Sequence, residues 1–187
     1  MKSRVFYARS LVAMLLLLVL IPSGANSAVQ QVSSKPYAVF QSTKYKSKEP
    51  ISVSDYKGKG LVLVFGRTTC GYCHSAMKFL IKHLSSLREA GTEIVISLDG
   101  LVKGSNNKAF DNIIKAKGWG KFQFACYSNS DMWANLYKAG NDSNYIIFPV
   151  IFIINQNGKI INYSTNFLYT KDQQKILKAA YKVAPNP

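Results

Sequence analysis

The chain has 187 residues, of which 48% are hydrophobic and 12% aromatic, enough to bury the core of a single domain. Its three cysteines are too few for a disulfide scaffold, so the fold must depend on its core. The formal net charge is +15, but the lysines are spread singly, without the dense block or interleaved aromatic residues of a nucleic-acid-binding site. We interpret them as a solvated surface and predict no nucleic-acid partner.

The beginning of the chain has the pattern of a secretory signal peptide. Three basic residues precede an uncharged apolar run over 11–21, and small and polar residues follow it. This run is shorter than the roughly 20 residues that cross a bilayer. We therefore predict a cleaved signal peptide over 1–27 and one exported, soluble domain over 28–187, whose charge is +12 without the three basic residues of the leader. An uncleaved membrane anchor that begins near Val5 is the alternative.

The first half of this domain is predicted to contain a leading β-hairpin, a buried strand and a helix. Short alternating pieces around 37–40 and 51–53 flank a lysine-rich stretch and indicate the hairpin. The run Leu61–Phe65 is apolar throughout, which is typical of a central strand covered on both faces. From 71 to 88 apolar residues recur at helical spacing, and Gly91 follows as a stop signal. A cysteine pair lies where this strand meets this helix.

The second half alternates strand and helix. The predicted elements are a strand over 93–98, a helix over 106–117, a strand over 121–127 and a short helix capped by Ser130 or Asp131. They continue with a buried strand over 148–154, a turn at Asn157-Gly158, a strand over 159–163 and a helix capped by Thr170. We expect Ile176, Leu177, Ala180 and Tyr181 on the buried side of the last helix. This order predicts an α/β domain with a central mixed sheet covered on both faces.

Cys70 and Cys73 are predicted to form a catalytic pair. Two cysteines separated by two residues in an exported protein indicate a disulfide that is made and broken. Cys70 is expected at the helix N-terminus, where unpaired backbone N–H groups stabilise a thiolate, and Cys73 is expected to be more shielded. Cys70 then attacks a partner disulfide, a mixed disulfide forms, and Cys73 resolves it. Gly71 and Tyr72 modulate the potential, and an exposed Tyr72 is a candidate substrate contact.

The order of the motifs resembles that of TlpA-like periplasmic thioredoxins. DYKGK at 55–59, the apolar strand, CGYC at 70–73 and FPVIFIINQNGKI at 148–160 follow one another as in that family, over nearly the whole chain after the leader. The resemblance implies a thioredoxin fold with an inserted helix and strand, a periplasmic location, and a redox-active disulfide with no bound cofactor. It also implies a cis Phe148-Pro149 bond beside the cysteines, with the backbone of Phe148 pairing with substrate.

Two positions depart from the family's pattern. The aspartate that thioredoxin carries six residues before its first cysteine is replaced by Val64, so deprotonation of Cys73 must use water, a partner or another group. CGYC followed by His74 resembles the site of the disulfide isomerase DsbC, although that protein's dimerisation domain has no counterpart here. The direction of electron flow therefore stays open between reduction and isomerisation or oxidation, with His74 as a modulator of the thiols.

Other interpretations of the motif are less favoured. CGYCH is also the attachment signature of a c-type haem, but a haem protein needs neither the buried strand before the motif nor Pro149 after it. A zinc site would need four ligands, and beyond the pair only Cys126, His74 and His83 offer sulfur or imidazole, so we predict no metal. A copper chaperone of the Sco type carries three residues between its cysteines, whereas this chain carries two.

Three further positions are interpreted as structural. Cys126 shares a predicted strand face with two phenylalanines, which favours a buried, inert thiol over a secondary redox thiol. His83 is expected to be packed or half-exposed. Trp133 and Tyr137, four residues apart on the short helix, are expected in the core.

The sequence thus predicts an envelope thiol-disulfide oxidoreductase that works on protein thiols and disulfides. The leading version is a reductase supplied by a membrane electron donor, and the alternative is an isomerase or oxidase of the Dsb type. A monomer is expected. The other functional class is a non-enzymatic thioredoxin-fold subunit of an envelope assembly, whose cysteines only lock a local turn.

Overall fold

The structure is a computed structural model, and it describes residues 36–101, 107–141, 143, 146–165, 167 and 170–183. The predicted signal peptide over 1–27 lies outside these residues, as does the start of the helix predicted over 106–117. Residues 31–187 form one compact unit. No helix among the described residues is both long and apolar enough to span a bilayer.

A five-stranded mixed sheet forms the centre of this unit. Before it, β1 (Gln41–Thr43) and β2 (Pro50–Ser52) pair as a separate antiparallel hairpin. The sheet strands are β3 (Gly60–Arg67), β4 (Thr92–Asp99), β5 (Gln123–Cys126), β6 (Val150–Ile154) and β7 (Ile160–Ser164), in the spatial order β5-β4-β3-β6-β7. β3 runs parallel to β4 and antiparallel to β6, so the strand that precedes the cysteines is central. The predicted mixed sheet is confirmed.

Helices cover both faces of the sheet. They are α1 (Gly71–Glu89), α2 (Lys108–Lys117), α3 (Asn129–Lys138) and α4 (Thr170–Lys182), with short 3-10 helices at Val53–Tyr56 and Trp119–Lys121. Buried residues of α1, α2 and α4 share one core with one face of β3 and β4. Buried residues of α3 and of the N-terminal segment share a second core with the opposite face. Every residue of β3 from Gly60 to Gly66 is buried, because the strand lies between the two cores.

One buried amide fastens the N-terminal segment to α3. Asn135 is fully buried, and its side chain brackets the backbone of Val39. Asn135 Oδ1 accepts a hydrogen bond from Val39 N at 2.7 Å, and Asn135 Nδ2 donates to Val39 O at 2.7 Å. The amide supplies the donor and acceptor that a neighbouring strand would supply, so Val39 is held without a sheet partner.

Several elements differ in detail from the prediction. The first strand of the hairpin lies at 41–43 rather than 37–40, because Phe40 turns into the second core. Tyr181 is 38% exposed and Tyr137 is 79% exposed, so neither belongs to the core. In α3 the buried side consists of Met132, Asn135 and Leu136, and Trp133 packs only at its margin. Helical spacing predicts that Trp133 and Tyr137 lie on the same side of α3, but it does not show whether that side packs against the sheet.

Replacing Asn135 by Ala is expected to lower the free energy of unfolding by about 2 kcal/mol, because two backbone groups of Val39 lose their partners. Denaturant unfolding with an unchanged slope measures this loss. Asn112→Ala, on the exposed side of α2, is the matched control and should stay within about 0.5 kcal/mol of wild type. Equal unfolding midpoints for the two variants would show that the two hydrogen bonds between Asn135 and Val39 do not stabilise the fold.

Candidate active site

The junction between β3 and α1 places Cys70 at the helix N-terminus. Cys70 is the N-cap of α1, with extended φ and ψ of −85° and 113°. Its Sγ accepts a hydrogen bond from Cys73 N at 3.2 Å, which satisfies one of the free donors of the first turn. Its carbonyl accepts from His74 N at 3.1 Å, while its own N donates to Arg67 O at 3.2 Å. Cys70 is thus half-buried and fixed by hydrogen bonds on both sides.

Cys73 lies behind Cys70 and is 1% exposed. Burial raises the pKa of the Cys73 thiol, and its hydrogen bond with Cys70 raises this pKa further. The sulfur packs against the backbone of Gly66 in the central strand: a Cβ at Gly66 would lie 2.8 Å from Cys73 Sγ. Position 66 therefore requires glycine for space. The two thiols are chemically different, as the sequence predicts, because one is accessible and the other is enclosed by the core.

Pro149 and Phe148 form the other wall of the site. The peptide bond between them is cis, the isomer that the family resemblance implies. Cys70 Sγ lies 3.8 Å from Phe148 O and is oriented to donate to it. Pro149 is buried and leads directly into β6, whose Val150 pairs with Phe65 of β3. The pairing of β3 with β6 thus brings residues 78 positions apart in the sequence together.

Of the other predicted site residues, Tyr72 is exposed next to Cys70, and the His74 ring is directed away from both cysteines. Tyr72 is 56% exposed beside Cys70. Gly71 is exposed, with no atom within 4 Å of where a Cβ would stand. His74 Nε2 donates to Thr68 O at 2.8 Å, and its ring packs edge-on against Trp119 with centroids 5.3 Å apart. His74 therefore connects the loop before Cys70 to the 3-10 helix that follows α2.

Sequence reasoning missed an ion pair at the rim of the site. Arg67 ends β3 and Asp99 ends β4, and the parallel register places them side by side, with Arg67 Nε 3.3 Å from Asp99 Oδ2. The Arg67 guanidinium also lies over the Phe148 ring, 5.1 Å from its centroid. Tyr127 packs against the same ring, and burial together with the Asp99 charge raises the pKa of Tyr127. The sequence signal for this ion pair was a charged residue of opposite sign at the end of each of two predicted strands.

The remaining candidates lie away from this cluster. Cys126 is 7% exposed on β5, so its predicted burial is confirmed, and its carbonyl accepts hydrogen bonds from Ser42 and Ser97. His83 is half-exposed and packs on Phe79 with ring centroids 4.8 Å apart. Within the described ranges no group of three His, Cys, Asp or Glu side chains is arranged to hold a metal ion.

The sequence profile of the AhpC/TSA family matches residues 35–164, which include both cysteines and Pro149. The chain belongs to the AhpC/TSA family. No curated protein matches it significantly.

Solved structures give the fold. The thioredoxin domain of a thiol-disulfide oxidoreductase from Bacteroides vulgatus is 16% identical, with 82% of this chain and 99% of that chain covered and a TM-score of 0.59. A thiol:disulfide interchange protein of the thioredoxin family from Chlorobium tepidum is 18% identical, with coverage of 79% and 96% and a TM-score of 0.55. A DsbF homologue from Corynebacterium diphtheriae is 15% identical, with coverage of 77% and 85% and a TM-score of 0.57. The chain has the thioredoxin fold.

Gly66→Ala is expected to displace the Cys73 sulfur and to destabilise the protein by about 1–3 kcal/mol, the usual range for an overpacked core. The reduced variant should therefore close its Cys70–Cys73 disulfide more slowly than wild type when an oxidant is added. Acid-quenched samples analysed by mass spectrometry give this rate. Gly120→Ala, where a Cβ meets nothing within 4 Å, is the control. An unchanged closure rate in Gly66→Ala would contradict the assigned role of Gly66.

Proposed function

We propose that this protein is an envelope thiol-disulfide oxidoreductase that exchanges disulfides with protein substrates through Cys70 and Cys73. The observation that carries the proposal is the pairing of an accessible sulfur at a helix N-terminus with a buried thiol one turn behind it. A structural bridge needs no such difference in access, whereas thiol exchange needs one sulfur to attack and one to resolve. The substrate binds against Tyr72, Phe148 and Pro149, which surround Cys70.

The reaction proceeds in two exchanges. In the first, the Cys70 thiolate attacks one sulfur of a substrate disulfide, a bond forms between the two sulfurs, and the substrate's other sulfur leaves as a thiolate that takes up a proton. In the second, Cys73 loses its proton and attacks the Cys70 sulfur, which releases the second substrate thiol. The substrate gains two electrons and two protons, and the Cys70–Cys73 pair is oxidised to a disulfide. A membrane electron donor then returns two electrons to the pair.

The direction of transfer that we propose is reduction. A strongly oxidising pair requires a reduced form that the protein stabilises well. Among the described residues, Cys70 Sγ accepts one hydrogen bond, from Cys73 N, and donates one, to Phe148 O. The neighbouring Arg67 is engaged with Asp99 and Phe148. The His74 imidazole is directed at Thr68 O rather than at either sulfur. These few stabilising contacts favour a low reduction potential over that of an oxidase or isomerase.

The haem interpretation of CGYCH fits the geometry less well. Covalent attachment would need both sulfurs to be accessible, but Cys73 is 1% exposed. The His74 nitrogen that would ligate iron instead donates to Thr68 O. These contacts support thiol exchange as the chemistry of the motif.

The reduction potential of the Cys70–Cys73 couple tests the proposed direction. Equilibration with glutathione or dithiothreitol mixtures should give about −270 mV or lower for a reductase. A value of about −120 to −180 mV would contradict reduction and indicate oxidation or isomerisation. Insulin reduction should be lost in Cys70→Ser and strongly lowered in Cys73→Ser, and Cys126→Ala should retain it. Activity retained without Cys70 would contradict the oxidoreductase proposal altogether.

Alkylation should distinguish the two thiols across a wide pH range. Because the pKa of Cys73 is raised, its thiol stays protonated as the pH increases past the ordinary cysteine value of about 8.5. Iodoacetamide should therefore modify Cys70 and leave Cys73 unmodified at about pH 7 and at about pH 9. Peptide mass spectrometry identifies the modified residue, and denatured protein, in which all three cysteines react, is the control. Equal labelling of both thiols in the folded protein would refute the assigned difference.

A further inference from the structure

The two helical layers of the protein carry very different charge. In α1, α2 and α4, which cover one face of the sheet, there are ten basic residues and three acidic ones, a net charge of +7. The helix on the other face, α3, has one aspartate and one lysine and is neutral. Ten of the basic residues that look scattered along the sequence therefore lie in this one helical layer. We call the outer surface of α1 and α4 the basic face.

The strongest part of the basic face is α4. Lys171, Lys175, Lys178 and Lys182 follow one another at intervals of four, three and four residues, so they form one stripe along the helix. All four are exposed, and none forms an ion pair with another described residue. The exposed Tyr181 lies beside this stripe, whereas Asp172, the acidic residue of α4, is half-buried. Lys78 and Lys82 extend the positive charge onto α1.

This arrangement works against the stability of the helix. Like charges three or four residues apart repel, and the stripe contains three such neighbouring pairs. The opposite side of α4 is already used, because Ile176, Leu177 and Ala180 are buried in the first core. A polyanion bound to the stripe would relieve the repulsion. It would have to bind electrostatically, since α4 has no free apolar side to insert into another phase.

We propose that the basic face docks the protein on an anionic lipid bilayer. A bilayer offers an extended sheet of negative charge, which fits lysines spread over two neighbouring helices better than a compact acidic pocket would. Tyrosine is favoured at the boundary between headgroups and water, where Tyr181 would lie. Each lysine near such a surface strengthens binding by about fivefold, so the α4 stripe supplies up to several hundredfold. Since Cys70 is the N-cap of α1, docking holds the Cys70 end of α1 at the rim of the bound face.

Vesicle binding tests the proposal with residues 28–187, because both cores and all described elements lie within the compact unit from 31 to 187. The probe is vesicles of phosphatidylcholine with about one third phosphatidylglycerol, at about 0.1 M salt. Exchanging all four α4 lysines for glutamine, which has similar helix propensity, should weaken binding at least tenfold. The control exchanges Lys48, Lys57, Lys138 and Lys159, outside the three-helix layer, and should change binding less than threefold. Arginine at the four α4 positions should preserve binding.

Two results would overturn the proposal. Equal loss in the α4 variant and the control would mean that net charge, rather than this face, attracts lipid. No binding of wild type to the anionic vesicles would mean that the basic face serves a soluble acidic partner or solubility alone. Circular dichroism and insulin reduction should match wild type in every variant, because no described contact joins an exchanged lysine to Cys70, Cys73 or Phe148. If wild type does not reduce insulin at all, the proposed function is contradicted, whereas the membrane-docking proposal depends only on vesicle binding. The two proposals can therefore be rejected independently.

Discussion

The contact between the Cys73 sulfur and the backbone of Gly66 is the constraint on which the candidate site depends. β3 is enclosed by the two cores, Gly66 pairs with Leu98 of β4, and Phe65 before it pairs with Val150 of β6. Gly66 is therefore held in place beside Cys73. The first turn of α1 rests on it through Cys73. Cys70 is the N-cap of that same turn, and the Cys73 N–H that reaches its sulfur is positioned by the same packing. A larger residue at position 66 would move the start of α1, and with it Cys70.

This packing also determines how protons move in the proposed reaction. The enclosed Cys73 holds its proton because burial raises its pKa, so it stays a thiol while Cys70 is joined to substrate. Val64, at the position of the thioredoxin aspartate, is buried in the first core and offers no base. The first substrate sulfur to leave does so as a thiolate, which is itself a base beside the mixed disulfide. Proton transfer from Cys73 to that thiolate or to water would complete the exchange without a dedicated carboxylate.

Sequence predicts the parts of this molecule that depend on local pattern. The apolar run at 61–65 and the helical spacing after Cys70 identified the strand and helix that position the cysteines, and Gly91 does follow the end of α1 in a left-handed conformation. What it could not predict depends on partners distant in the chain. From the sequence alone Asn135 would be expected on the surface, because its partner Val39 is 96 positions away in the chain. The exposure of Tyr137 likewise depends on where α3 meets the sheet.

The rim of the candidate site depends both on local sequence and on contacts between residues distant in the chain. Arg67 and Asp99 are ordinary charged residues in the sequence, and only the parallel register of β3 and β4 brings them together. Both side chains are at least half exposed, so their pairing contributes little to stability. Its effect is local: the guanidinium lies over the ring of Phe148, whose carbonyl oxygen is within hydrogen-bonding distance of Cys70 Sγ. A weak surface ion pair therefore acts on the wall against which a substrate would lie, while the strong packing forces act on Cys73 behind it. In the proposed reaction, stability therefore depends on the packing behind Cys70 and substrate recognition on the surface beside it, so that this surface could change without disturbing the core.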